Sequence, residues 1–211
     1  LTGVVLILGT GIAGTPARCD EDVTARSTDR LETLVGRADG TRLRVGESQV
    51  DALTFLNRDY RMLELPDELA GLPRYLFDGG DGDSVRLKFR TATVVFAAFE
   101  YNNSGAWSFE DGHSPADFGW HLLRRDAYRG SSNPEKDGKP HRESIWFREF
   151  KAGQELAGLP RWWLCLGITD LDTALKIEGF KTGLVSKTPP IVRRFSHATE
   201  AGRPRPLMVP K

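Results

Sequence analysis

Val85-Arg86-Leu87-Lys88-Phe89 alternates strictly between apolar and basic residues. A period of two sets the apolar side chains on one face and the bases on the other, which predicts a strand with one wet face. Shortly afterwards the pattern changes. Thr93 to Tyr101 is a near-continuous apolar run with β-branched and aromatic residues. That predicts a central strand buried on both faces or nearly so.

Other short runs repeat the theme. Arg42 to Val45 and Arg61 to Leu65 alternate, and Tyr75-Leu76-Phe77 is broken by the turn-rich Asp78-Gly79-Gly80-Asp81-Gly82-Asp83. Ile145 to Phe150 and Trp162 to Ile168 are two more strands, and Ala174 to Phe180 is read as a last one. Asn102 to Pro140 is long and polar. A single loop of that length is unusual, so a strand is placed near Trp120–Arg124, leaving Gly130 to His141 as an exposed excursion. Short strands with turns between them, and no long amphipathic helix, predict an all-β chain. The expected architecture is an antiparallel β-sandwich of jelly-roll or Ig-like type, with a small barrel as runner-up. The sandwich is assigned to residues 40–185. Residues 18–39 form a polar segment with one short helix, which Asp29 and Glu32 could cap. Residues 186–211 form a disordered tail rich in Pro and Arg.

The first residues admit two readings. Val4 to Leu8 runs into Gly9-Thr10-Gly11-Ile12-Ala13-Gly14, a literal G-x-G-x-x-G. A dinucleotide site needs a helix N-terminus there and an acidic residue about 20 positions on, at the end of a second strand. Instead Asp20, Glu21 and Asp22 follow closely and would repel a pyrophosphate, and no second strand appears. No nicotinamide or flavin cofactor is therefore expected. The alternative fits better: an apolar core ending at Thr15-Pro16-Ala17, the small-residue pattern of a secretory signal. Residues 1–17 are assigned to that signal, maturation is expected near Arg18, and the compartment is secreted or periplasmic. The run is too short to span a bilayer.

Lys+Arg and Asp+Glu both total 29, so no charge bias points to nucleic acid or a membrane surface. A monomer is expected. Cys19 and Cys165 could pair after export, or Cys165 could simply be buried in its apolar run. One internal echo is present: Glu68-Leu69-Ala70-Gly71-Leu72-Pro73-Arg74 recurs as Glu155-Leu156-Ala157-Gly158-Leu159-Pro160-Arg161. Each copy reads as a short turn launching a strand.

From Leu53 to Ile168 a further set of residues carries a likeness. It comprises Leu56-Asn57-Arg58-Asp59-Tyr60, Leu65-Pro66-Asp67-Glu68-Leu69-Ala70-Gly71-Leu72, Phe99-Glu100-Tyr101, Ala106-Trp107 and Phe118-Gly119-Trp120, then a closing apolar strand. In this order they resemble the accessory β-sandwich modules of secreted bacterial polysaccharide-acting enzymes and surface proteins. The resemblance implies a mostly non-catalytic module and carries over no catalytic residue. The family's Asn/Asp-rich loop stands here as an Asp-Gly run.

Candidate ligand residues follow from composition. Trp107 and Trp120, with Phe109 and Phe118, lie among Asn102, Asn103, Ser104, Asp111, Asp117 and His121. Flat rings stack on sugars while short polar arms bind hydroxyls; equally, the tryptophans could plug an open end of the sandwich. Asp78, Asp81 and Asp83 could wrap calcium, or form a solvated hairpin loop. His113, His121 and His141 lack paired metal spacing, and no G-x-S-x-G occurs. The leading expectation is a secreted, non-catalytic, glycan-binding or glycan-assisting module. A small β-sandwich hydrolase or lyase and a structural envelope protein are the alternatives.

Overall fold

The computed structural model describes residues 17–99, 114–133 and 135–181. The expected signal, apart from Ala17, and the expected tail lie outside these residues. The described chain is built of antiparallel β-sheet, as the alternation predicts. In chain order the elements are α1 (Ala17–Leu34), β1 (Val35–Asp39), β2 (Arg44–Glu47), β3 (Met62–Glu64), β4 (Pro73–Leu76), β5 (Arg86–Phe89) and β6 (Thr93–Phe99). They continue with β7 (His121–Gly130), β8 (Glu135–Lys136), β9 (Lys139–Pro140), β10 (Glu143–Phe150), β11 (Glu155–Leu156), β12 (Trp163–Asp170) and α2 (Leu171–Ala174).

The main sheet has the order β12-β6-β10-β7-β3, with every neighbouring pair antiparallel. All seven residues of β6 are buried, so the expected central strand holds. Paired residues share a face. Phe99 therefore lies with Trp163, and Phe96 with Phe147 on the opposite side. Phe180 closes onto Phe96 and Phe147, with ring centroids 6.4 and 4.8 Å away. The sheet curls into a half-barrel. Register breaks between Cys165 and Gly167, and on both sides of Ile145, sharpen the local twist that such curling needs. The first of these breaks has its own support: the Ser48 hydroxyl donates to the Leu166 carbonyl. A Cβ on Gly167 would fall 2.7 Å from Leu72, so the segment feeding β4 approaches the bulge closely.

The β2-β4 ribbon packs beside β12, and β1-β5-β11 forms a third sheet. In β5, Leu87 and Phe89 are buried while Arg86 and Lys88 are exposed, as the period of two predicts. Within the expected excursion from Gly130 to His141, Glu135 to Pro140 forms a small hairpin, β8-β9, turned by Asp137-Gly138.

Two expectations are corrected. The short N-terminal helix is an 18-residue α1. Its Ser27, Leu31 and Leu34 fall on one helical stripe and are buried against β2, β4 and β12. The Ser27 hydroxyl donates to the Glu47 carboxylate. The expected last strand, Ala174 to Phe180, is the end of α2 followed by turns. Asp170 caps α2, accepting from the Thr173 amide at 2.8 Å and its hydroxyl at 3.0 Å, which commits the backbone to a helical turn. Cys165 is a free, buried thiol. Burial pushes its pKa up to about 11, so it is inert at neutral pH.

Candidate functional site

Trp162 is the last turn residue before β12, and Trp163 is the first residue of that strand. Trp163 turns inward, packs 5.0 Å from Phe77 and donates its indole N–H to the Gly82 carbonyl at 3.0 Å. Trp162 stays half-buried. Its ring is held edge-on by Phe55 at 5.9 Å and lies against the backbone of Gly79 and Gly80. A Cβ on Gly79 would sit 2.8 Å from the indole, and Gly80 takes φ +95°, so the ring and the glycine turn require each other.

The turn is tied down from several sides. Asn57 pairs with Gly79 as a backbone would: its amide donates to the Gly79 carbonyl at 3.2 Å and its carbonyl accepts the Gly79 amide at 2.7 Å. Arg161 donates Nε to the Gly80 carbonyl at 2.8 Å, and Gly82 N–H returns a bond to the Arg161 carbonyl at 3.0 Å. The Arg58 guanidinium stands 5.9 Å from the Trp162 ring centroid. The result is an indole held in place by rigid neighbours and bordered by exposed Asn57, Arg58, Asp59 and Arg161. The Leu56-to-Tyr60 segment and the Asp-Gly run thus meet in space, although they are distant in sequence.

The aspartates of that run point to different partners. Among the described residues no three His, Cys, Asp or Glu side chains converge on a metal-sized point. Asp78 is buried and accepts from Arg42 at 3.2 Å, while a short 3-10 turn at Gly82–Ser84 carries Asp83 along the chain. Asp78, Asp81 and Asp83, the residues of the calcium reading, are thus not brought together as one group of three.

The other candidates separate. Trp107, Asn103 and Asp111 lie outside the described residues. Asp117 closes a capping box, its carboxylate accepting the Ser114 amide at 2.7 Å. Trp120 is 1% exposed and meets Phe99 edge to face at 5.1 Å, so it fills the core and offers no free face to a sugar. His121, the next residue, faces the other way and lies 5.5 Å from the Phe147 ring. Trp120 and His121 therefore sit on opposite sides of the sheet and cannot share a ligand. Half-buried His141 lies at the far end of the β8-β9 hairpin. No local signal singled out Trp162: β12 is buried on both faces, so two adjacent tryptophans at its entry read equally well as core.

The carboxylates whose pKa is shifted are bound and held low. Hydrogen bonding from Arg142 lowers Glu64, with Nε to Oε2 at 2.5 Å and Nη2 to Oε1 at 3.1 Å. Glu68 is lowered by its own backbone amide and by Arg124, whose Nη2 donates at 3.0 Å. At Asp170 burial pulls upward, but the Thr173 amide and hydroxyl outweigh it and the net shift is down.

No family model matches the chain, and no curated protein matches it significantly. Among solved structures the chain is similar to a GH138 enzyme targeting pectin rhamnogalacturonan II. The two share 17% identity with a TM-score of 0.50, over 75% of this chain and 20% of that one. The chain thus spans about a fifth of the length of that structure, and the likeness is one of fold.

Proposed function

We propose that this chain is a non-catalytic, glycan-binding β-sandwich module of an exported polysaccharide-processing system. The observation that carries the reading is the fold likeness to a segment of a pectin-acting enzyme, which agrees with the module resemblance of residues 53–168. One feature of the structure supports it. The half-buried Trp162, with polar side chains around it, has the make-up of a surface saccharide contact.

The test is affinity electrophoresis of the protein through gels containing pectin, xylan or β-glucan, beside reducing-end assays on the same polymers. Retardation by at least one polymer without release of reducing ends is the expected result. Catalytic turnover of a polymer would move the chain to the hydrolase or lyase class, and migration unchanged in every gel would remove the glycan reading.

A further inference from the structure

Resting on the glycan reading above, we infer that Trp162 is the saccharide platform and that Arg58 selects sugars bearing a carboxylate. Three observations carry this. First, the ring is pre-organised: Phe55 holds its edge, and the Gly79–Gly80 backbone lies against it with no side chain between. A fixed aromatic surface binds without the entropy loss of ordering it. Second, the Arg58 guanidinium stands over this ring, and among the described residues no carboxylate lies within ion-pair distance of it. Elsewhere the arginines near acidic residues are taken, as Arg42 is by Asp78, Arg124 by Glu68 and Arg142 by Glu64. Third, Arg161 is exposed at the same turn and donates Nε to the Gly80 carbonyl.

An exposed guanidinium above an indole is weakly held. A sugar ring that stacks on Trp162 displaces Arg58, and the displaced fork finds a planar, bidentate partner in a uronate carboxylate. Asp59 and Asp81, on the same two loops, are acceptors for hydroxyls. They also disfavour densely sulfated or phosphorylated chains, whose charge would crowd them.

The probes are hexameric oligogalacturonate and its fully methyl-esterified form, which differ in charge and little in shape. Titration calorimetry on the full chain should show the free acid binding about tenfold tighter than the ester. Arg58→Gln touches an exposed side chain and should abolish that preference while leaving ester binding intact. Trp162→Ala should remove binding of both, with near-ultraviolet circular dichroism checking that Trp163 remains packed. Equal affinity for acid and ester in the wild type, or binding unchanged in a folded Trp162→Ala protein, overturns the inference and leaves the glycan module standing. Binding to neither probe, with neutral polymers still retarding the protein in gels, overturns the carboxylate preference alone. Failure with every polymer removes the module reading as well.

Discussion

Trp120 and Trp162 each stand immediately before a strand, yet one fills the core and the other stays half-buried. Trp120 is 1% exposed and crosses Phe99 at 80°; Trp162 is half-buried. Trp120→Ala should destabilise the protein by about 3–5 kcal/mol, the usual range for emptying a core aromatic site. Denaturant midpoints measure this, and a shift below about 1 kcal/mol would mean that the ring is not core. Arg74 shows the same dependence on position. It is 1% exposed, with Nε donating to the Glu47 carbonyl at 3.1 Å and Nη2 to the Leu53 carbonyl. Burial lowers its pKa to about 10. The fork serves here as a bracket between β2 and the Leu53 segment, a role that a lysine's single nitrogen could not fill.

The repeated heptapeptide shows how local chemistry and tertiary context divide the labour. In both copies the glycine is left-handed, Gly71 at φ +75° and Gly158 at φ +66°, and the following leucine and proline are buried. One copy delivers β4 and the other β12, which lie side by side. The arginines then diverge, Arg74 into the core and Arg161 onto the Gly80 carbonyl. Neither glycine has an atom within 4 Å of a built Cβ, so alanine at either position meets backbone strain alone. Each Gly→Ala should lower stability by a similar amount, about 1–2 kcal/mol, measured by chemical denaturation. A much larger loss at one position would show contacts that the turn geometry does not explain. Elements of this kind were legible in the sequence because their signal is local: alternation in β5, the apolar run of β6, glycine and proline at the launches. Helix α1 was not, because its buried stripe is carried by Ser27 with Leu31 and Leu34, and a serine satisfied by Glu47 leaves too little apolar periodicity to read. The pattern from Ala174 to Phe180 was misread for a related reason. Its Ala174, Ile177 and Phe180 do pack against the core, but the Asp170 cap turns the chain before a strand can form. At the site, Trp120 and His121 were grouped by sequence proximity, whereas Asn57, Gly79 and Trp162 meet only through tertiary folding.

At the scale of the whole molecule, the curled sheet is fastened at its margins by carboxylates. Glu64 ties edge strand β3 to Arg142 at the entry to β10. Glu68 ties the turn before β4 to Arg124 on β7, and Asp170 caps α2 where β12 ends. All three have folded-state pKa values below the ordinary 4.5 for Glu and 3.8 for Asp. A group depressed on folding contributes stability that is present in full above its unfolded pKa and is lost as pH falls through its folded pKa. The protein should therefore hold a flat urea midpoint from pH 7 down to about 5 and weaken progressively below about 4.5. Asp170→Asn keeps an acceptor for the Thr173 amide but cannot titrate, and Glu68→Gln does the same for Arg124. Each should start less stable at pH 7 and lose less on acidification, so that the variant and wild-type curves draw together as the pH falls through the folded-state pKa. Exposed pairs contribute little individually, so the larger flattening belongs to Asp170→Asn, whose carboxylate is engaged by both groups of Thr173. Wild-type and Asp170→Asn curves that run parallel from pH 7 to pH 3 would show that the cap carries no proton-linked stability.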